Sequence, residues 1–218
     1  MPYSLNLYHD QLTNEGATSA PLPAANRLFY VRFGEVTING ETYRPDDAFY
    51  CGDEVEMSGV ADWSQVWRWE LDLPNAEQKL MEGSNLLSML RMSRVITSLE
   101  MPEGSQWLMR LDRVMPPAGR VADRHQHPGP GIRCLLEGSF NVQQAAESMR
   151  ERVPGDPWWE TGEDTVVAWA SQTMHAKFLR GMVLPTEHEG TVTGTWLSGD
   201  TTKKRGAWHL YVDQIVTV

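Results

Sequence analysis

The sequence is poor in cysteine and lacks any long apolar run. Cys51 and Cys134 are its two cysteines, and because they form no Cys-x-x-Cys pair they suggest neither a zinc knuckle nor a dithiol redox site. No run approaches the roughly 18 apolar residues of a membrane-spanning helix. The start, Met1 to Leu7, lacks the basic region and apolar core of a signal peptide. We therefore expect a cytoplasmic protein with reduced thiols and no membrane partner.

Positive charge is also scarce. The 218 residues include 19 Lys and Arg against 29 Asp and Glu, a formal net charge of -10. Binding nucleic acid through its phosphates needs clustered Lys and Arg, so we expect no nucleic-acid partner. The short basic cluster at 203–205 is interpreted as a solvated loop. Neither a P-loop, a Gly-x-Gly-x-x-Gly segment nor a Gly-x-Ser-x-Gly elbow is present.

What the chain does contain is a series of short strand-like runs separated by turn residues. Apolar, aromatic and β-branched residues dominate 28–33, 65–71 and 132–142. Asn39-Gly40 is a strong signal for a two-residue hairpin, and helical signals are few. This spacing of short strands is typical of sandwiches and jelly-roll barrels, which predicts an all-β fold.

The two halves of the chain repeat one layout weakly. An apolar strand, a tight glycine turn and a second strand occupy 28–36, and the same order recurs at 132–140. Repetition of this kind indicates two related units. We therefore predict an N-terminal domain over residues 1–85 and a C-terminal domain over residues 86–218.

The most informative pattern is a pair of histidines two residues apart, His125 and His127. A Pro/Gly turn and an apolar run that ends at Gly138 follow them. Residues i and i+2 of a strand point to the same face, so the two imidazoles would project side by side. Two imidazoles on one face can hold one transition metal.

This segment resembles the first sequence motif of the cupin superfamily. In that motif five residues separate a glycine from His-x-His, and a glutamate and a second glycine follow. Gly119 and Gly138 supply the two glycines. Gly131 stands where the family's metal-binding glutamate usually lies, so one family ligand is missing.

A second segment, 155–162, resembles the opening of the second cupin motif. Glu160 takes the place of the motif's proline, and Thr165 stands where the family's third histidine is expected. Two of the four family ligands are thus present and two are replaced.

The resemblance implies double-stranded β-helix (jelly-roll) cupin barrels in two related halves, an RmlC-like bicupin. It places the site in the C-terminal half. The N-terminal half has no His-x-His pair and would be a degenerate cupin-like domain that serves structure or dimerisation. Because cupins commonly pair through strands, we expect a homodimer.

Glu160 is the candidate third ligand of a metal at His125 and His127. Two histidines and a carboxylate form the facial arrangement of non-haem iron, and the same ligands suit manganese, nickel or zinc. Glu160 is alternatively a catalytic acid or base. His175 is a further candidate nitrogen, although its position favours a loop.

Arg133 lies on the strand after the turn and would be a buried cation if that face points into the barrel. An unpaired buried charge costs several kcal/mol, so Arg133 needs a partner. The partner is either Glu160, in a structural ion pair, or the anionic group of a small-molecule substrate. Trp158 and Trp159 are candidate substrate-binding residues beside it.

Three hypotheses of function follow. The first is a metal-dependent enzyme for a small carboxylate or hydroxylated substrate; by resemblance, oxygenase chemistry comes before isomerase or lyase chemistry. The second is a non-catalytic metabolite-binding cupin with a degenerate metal site, which the replaced ligands favour. The third is metal-free acid/base catalysis by His125 or His127. The sequence leaves open whether the protein is an enzyme.

Overall fold

The computed structural model describes residues 2–74, 76, 79–145, 148–197 and 207–218. These residues form antiparallel strands and a single turn of 3-10 helix, Thr186–His188. The prediction of an all-β fold is confirmed. No helix in this part of the chain is long and apolar enough to cross a membrane. The basic cluster at 203–205 lies outside the described residues.

The chain divides into two compact units, Met1–Val95 and Ile96–Val218. A strand over Gly83–Val95 runs across the boundary expected at residues 85 and 86. This strand pairs with the first strand of the chain along its length, so it belongs to the first unit.

The first unit is one curved antiparallel sheet. Its strands are β1 (Ser4–Thr18), β2 (Asn26–Phe33), β3 (Val36–Ile38), β4 (Glu41–Tyr43), β5 (Ala48–Cys51), β6 (Met57–Gly59), β7 (Trp63–Asp72) and β8 (Gly83–Val95). They follow the order β4-β3-β6-β1-β7-β2-β5, and β8 also pairs with β1.

Charged side chains are buried inside the first unit. Arg27 Nε and Arg68 Nη1 each lie 2.7 Å from Glu70 Oε2, and Arg68 Nε lies 3.0 Å from Asp10 Oδ2. All four side chains are fully buried. Two guanidinium groups therefore meet two carboxylates, so no charge in this group is left uncompensated.

The second unit consists of two five-stranded antiparallel sheets. Its strands are β9 (Gln106–Met115), β10 (Val121–Gln126), β11 (Gly131–Glu137), β12 (Phe140–Gln144), β13 (Arg150–Arg152), β14 (Pro157–Glu160), β15 (Val166–Ala170), β16 (Lys177–Leu184), β17 (Thr195–Trp196) and β18 (Ala207–Thr217). One sheet has the order β13-β12-β15-β10-β17 and the other β14-β11-β16-β9-β18. A cluster that includes Phe140, Trp158, Val166 and Phe178 forms an apolar core between them.

The two units share a strand order. The series β8-β1-β7-β2-β5 of the first unit corresponds strand for strand to β18-β9-β16-β11-β14 of the second, and every pairing in both series is antiparallel. The two related halves predicted from the repeat are thus present in the fold.

Candidate functional site

The second unit contains a cavity of about 290 Å³, close to the lower end of the range for small-molecule sites. Both sheets contribute to its mostly apolar wall, which includes Val114, Phe140, Val166, Phe178, Trp196 and Trp208. Polar side chains also border it, namely those of Arg120, His125, His127, Glu160, Arg180 and Thr193.

A β-bulge in β10 decides which side chains face this cavity. Between Ala122 and His125 the pairing of β10 with β15 shifts by one residue. A bulge of this kind reverses the alternation of faces beyond it. Arg120 and Ala122 on one side of the shift therefore border the cavity together with His125 and His127 on the other, while Arg124 is exposed.

His125 has one ring nitrogen that donates and one that can accept. Its Nδ1 lies 2.7 Å from the carbonyl oxygen of Asp123, and because a carbonyl only accepts, Nδ1 carries the proton and donates. Burial lowers the pKa of His125, against the opposing hydrogen bond to Asp123 and the charge of Glu160, so the ring is neutral at pH 7. Nε2 is then an acceptor, and it has no hydrogen-bond partner among the described residues.

His127 lies beside His125, with the two ring centroids 5.0 Å apart. Its Nε2 is 3.2 Å from Glu160 Oε2, and its side chain is 8% exposed. Burial lowers the pKa of His127 to about 4, although the Glu160 carboxylate acts in the opposite direction. His127 is therefore also neutral at pH 7.

Glu160 is a buried carboxylate held by three neighbours. Oε1 accepts a hydrogen bond of 2.8 Å from Trp158 Nε1, and Oε2 lies 2.9 Å from Arg133 Nη2 as well as close to His127. Neither Oε2 contact has the alignment of a hydrogen bond, and the contact with Arg133 is an ion pair. Burial opposes ionisation, yet the Arg133 guanidinium and His127 hold the pKa of Glu160 well below its ordinary value.

Arg133 is fully buried and pairs with Glu160, the first of the two partners expected for it. Its Nη1 also donates to the carbonyl oxygen of Gly131 at 2.6 Å. Burial lowers the pKa of Arg133 to about 10, so the group stays charged at pH 7.

The glycine at 131 makes room for this ion pair. A Cβ at this position would lie 3.0 Å from Arg133 Nη1 and 2.7 Å from Met182 Cγ. Gly131 is also the direct cross-strand partner of Glu160. The carboxylate that the cupin motif places at 131 is therefore replaced, at the same level of the barrel, by one from the neighbouring strand.

Arg180 borders the cavity with its charge already compensated. Its Nε and Nη2 each donate to one oxygen of Asp112 at 2.7 Å, and Trp208 Nε1 donates to the same carboxylate at 2.9 Å. Arg180 is the cross-strand partner of Arg133, so two neighbouring cations each have a carboxylate of their own.

Arg120, which the sequence did not single out, is the other arginine at the cavity. It is half-buried and directly precedes β10. In the described part of the chain its guanidinium has no hydrogen bond or ion pair. The signal that could have found it is its place between Gly119 of the first motif and the histidine pair.

The two adjacent tryptophans are separated by the pleat of β14. Trp158 is buried and packs against Phe140 and Phe178. Trp159 is half-buried and pairs with Ile132, on the opposite face of the strand. Neither tryptophan borders the cavity, and Arg133 does not border it either. The expected substrate contacts of these three residues therefore stay predictions.

The side chains expected to bind a metal do not fit a divalent ion as they are arranged. Among the described residues, no group of three or more His, Cys, Asp or Glu side chains is placed to hold one. Glu160 Oε2 already contacts Arg133 and His127, and a cation there would be repelled by the buried guanidinium. His175 is exposed and lies 3.5 Å from Glu137.

Comparison with known proteins identifies the fold. No family profile matches the chain, and no curated protein does. Pumpkin seed globulin is 10% identical with a TM-score of 0.59, over 91% of this chain and 81% of that one. Procruciferin, an 11S globulin of Brassica napus, is 9% identical with a TM-score of 0.58, over 91% and 79%. Bacillus subtilis oxalate decarboxylase, in a structure concerned with its Mn(II) centres, is 12% identical with a TM-score of 0.55, over 88% and 71%.

Similarities at these identities show the fold alone. The neighbours are cupin jelly-roll barrels, and they include both an oxalate decarboxylase and globulins. This chain therefore has the cupin fold, and its own residues must carry any statement about function.

Proposed function

We propose that this cupin-fold chain binds a small, mostly apolar organic molecule in the barrel of its second unit. The observation that carries the proposal is the cavity itself. The cavity has a volume of about 290 Å³ and a mainly apolar wall, and His125 borders it. Nε2 of His125 has no partner in the described part of the chain. Apolar pockets with a few convergent polar groups are the usual form of small-molecule sites.

The site would recognise a ligand through two kinds of contact. Phe140, Phe178 and Trp196 would pack against its apolar body, where burial contributes roughly 25 cal/mol per Å². Its hydroxyl or N–H group would donate to Nε2 of His125. The bond from Nδ1 to Asp123 fixes the tautomer that this contact requires.

The ion pairs beside the cavity would keep its charged side chains in fixed positions. Arg133 fixes Glu160, and Asp112 fixes Arg180. Side chains that are already fixed before binding lose little conformational entropy when a ligand arrives. In this proposal Arg133 positions Glu160 and does not itself touch the ligand.

A second candidate function is a metal-dependent enzyme that uses iron, manganese, nickel or zinc at His125 and His127. Support comes from the neighbour with Mn(II) centres and from the two imidazoles side by side. The contact between Arg133 and Glu160 opposes it.

We also propose that the chain is a bicupin with a degenerate first domain, and that it acts in the cytoplasm as a homodimer.

Binding is tested by calorimetry on the full chain with a set of uncharged and anionic aromatic and aliphatic compounds. Val192 borders the cavity and is 45% exposed, so Val192→Trp should fill the mouth without disturbing the core. We expect this variant to lose at least about tenfold in affinity. The matched control is Val153→Trp, at a position that is 52% exposed and away from the cavity. Equal binding to both variants would place the ligand elsewhere and overturn the proposal.

Elemental analysis separates the two candidates. The wild type and the His125→Ala/His127→Ala double variant would be incubated with each of the four metal ions and desalted. Near-stoichiometric metal that is lost in the double variant would support the metal-dependent enzyme. Absence of metal from the wild type would contradict it and leave ligand binding as the function.

A further inference from the structure

We propose that the bound molecule is a monocarboxylate and that Arg120 binds its carboxylate group. This inference rests on the proposed ligand-binding role of the cavity and names the class of ligand. Its starting point is that Arg120 borders the cavity, is half-buried, and has no hydrogen bond or ion pair with any described residue.

The other charged groups at this end of the barrel compensate one another. Arg180 is bound in bidentate fashion by Asp112, and Arg133 is in contact with Glu160. The formal charges of these four side chains sum to zero. Arg120 is then the one cation bordering the cavity that lacks a counter-charge within the described residues, and an anionic ligand would supply it.

Arginine is suited to this role by its shape. The planar guanidinium matches the two oxygens of a carboxylate, and two parallel N–H···O bonds can form. A half-buried guanidinium is partly removed from water, so an opposite charge beside it is screened less than at the surface. An uncharged ligand of the same shape would leave this cation without a counter-charge.

The position of Arg120 also limits how many charges the ligand carries. Arg120 directly precedes β10 and His125 lies near the end of that strand, with Ala122 between them on the cavity wall. The remaining wall is mostly apolar, and Glu160 is already anionic. A second carboxylate would meet apolar side chains, the like charge of Glu160 or the acceptor Nε2 of His125. Arg180 also borders the cavity, but Asp112 already compensates its charge, so the site should reject small dicarboxylates such as oxalate.

Calorimetry on the full chain tests this with acids and their uncharged amides. The pairs are 4-hydroxycinnamate with 4-hydroxycinnamamide and 6-hydroxyhexanoate with 6-hydroxyhexanamide, in which the acid and the amide share a hydroxyl group that can donate to His125 Nε2, and oxalate is the dicarboxylate. We expect the wild type to bind each acid about tenfold more tightly than its amide and oxalate not measurably. Arg120→Gln should abolish the preference for the acid.

The matched control is Arg124→Gln, which removes the same charge from an exposed position on β10, the strand that Arg120 directly precedes, and should keep the preference. Thermal unfolding of both variants would check that each is folded, and Arg120→Lys should restore part of the preference. Equal loss in Arg120→Gln and Arg124→Gln would show a general effect of net charge and overturn the inference.

Two further outcomes separate this inference from the proposed function. Amides that bind as tightly as acids, with Arg120→Gln unchanged, would overturn the carboxylate while ligand binding at the cavity stands. Failure of every compound, charged or uncharged, to bind the wild type would overturn the proposed function and the inference with it.

Discussion

The carboxylate of the candidate site comes from residue 160 and not from residue 131. The cupin motif predicts a carboxylate at residue 131, and the structure has glycine there with Glu160 opposite it on the neighbouring strand. Gly131 leaves the space that the Arg133 guanidinium occupies. The carboxylate is thereby bound to an internal cation, which leaves it less available to a metal ion.

Removing the charge of Glu160 should destabilise the protein strongly. Glu160→Gln leaves the Arg133 guanidinium buried without a counter-charge, and we expect a loss of roughly 3 kcal/mol or more in the free energy of unfolding. Urea denaturation measures it. Adding Arg133→Met to Glu160→Gln should recover part of the loss. Glu137→Gln, whose carboxylate is 53% exposed and pairs with Lys177, should cost less than about 1 kcal/mol; an equal cost at both positions would contradict the buried ion pair.

The buried imidazole of His127 should make stability depend on pH below neutrality. An unfolded chain takes up this proton near pH 6.5, whereas the folded chain takes it up only near pH 4. The stabilisation is intact above pH 6.5 and is lost as the pH falls toward 4, with a slope of up to about 1.4 kcal/mol per pH unit. His127→Gln should flatten this slope in urea denaturation between these limits. A slope reduced equally by His209→Gln, at an exposed position, would contradict the assignment.

At the level of strands, the bulge in β10 determines the composition of the cavity wall. Strict alternation from His125 and His127 would turn residues 121 and 123 inward. The one-residue shift between Ala122 and His125 turns Arg120 and Ala122 inward instead. One irregular strand thus places a cation and two imidazoles on one wall, as bulges near functional sites often do.

The close packing of β11 against β16 should make Gly131 intolerant of a side chain. In Gly131→Ala the new Cβ would lie 2.5 Å from the carbonyl oxygen of Gly181, which belongs to the backbone and cannot easily move away. We expect a loss of about 1 to 3 kcal/mol in stability, measured by urea denaturation. Gly59→Ala is the control on another strand, because the atom nearest to its new Cβ would be the Cβ of Leu12, at 3.2 Å. A wild-type stability for Gly131→Ala would refute this view of the site.

The molecule as a whole is built from two units that bury charges in related sheets. In the first unit Arg27, Arg68, Glu70 and Asp10 form a buried ionic group, and Lys79 also contacts its Glu70. In the second unit the corresponding sheet carries charges behind a cavity. Every described residue that borders this cavity comes from 114–208, and a ligand site in the second half stays a prediction.

Residues 96–218 should fold without the first unit. This segment is compact by itself, and its two sheets enclose their own apolar core. A protein of these residues should show the circular dichroism of β-strands, unfold cooperatively and bind the same compounds as the full chain. A segment that is unfolded, or folded without binding, would show that the first unit is required.

That the protein is a homodimer stays a prediction. Light scattering coupled to size-exclusion chromatography should give twice the mass of the 24.7 kDa chain. A mass of one chain across a range of protein concentrations would contradict it.

Much of the fold could be predicted because its signals are local. Short runs of alternating residues and turn dipeptides specify strands wherever they occur. The separation of Trp158 from Trp159 follows from the pleat of β14, which the choice of both as substrate-binding candidates did not take into account. Glu160 is one of the two partners that the sequence leaves open for Arg133, because the cost of an unpaired buried charge limits the choices.

The sequence by itself determined the all-β class, the repeat, and the histidine pair with a carboxylate and an arginine nearby, since these depend on residue types and short spacings. The tertiary structure alone decided the rest. It decided which strand lies opposite Gly131, where β10 shifts its register, and that Arg120 has no partner among the described residues. All three depend on contacts between residues distant in sequence. Strand pairing and register are set by how whole faces pack, and no local pattern contains that information.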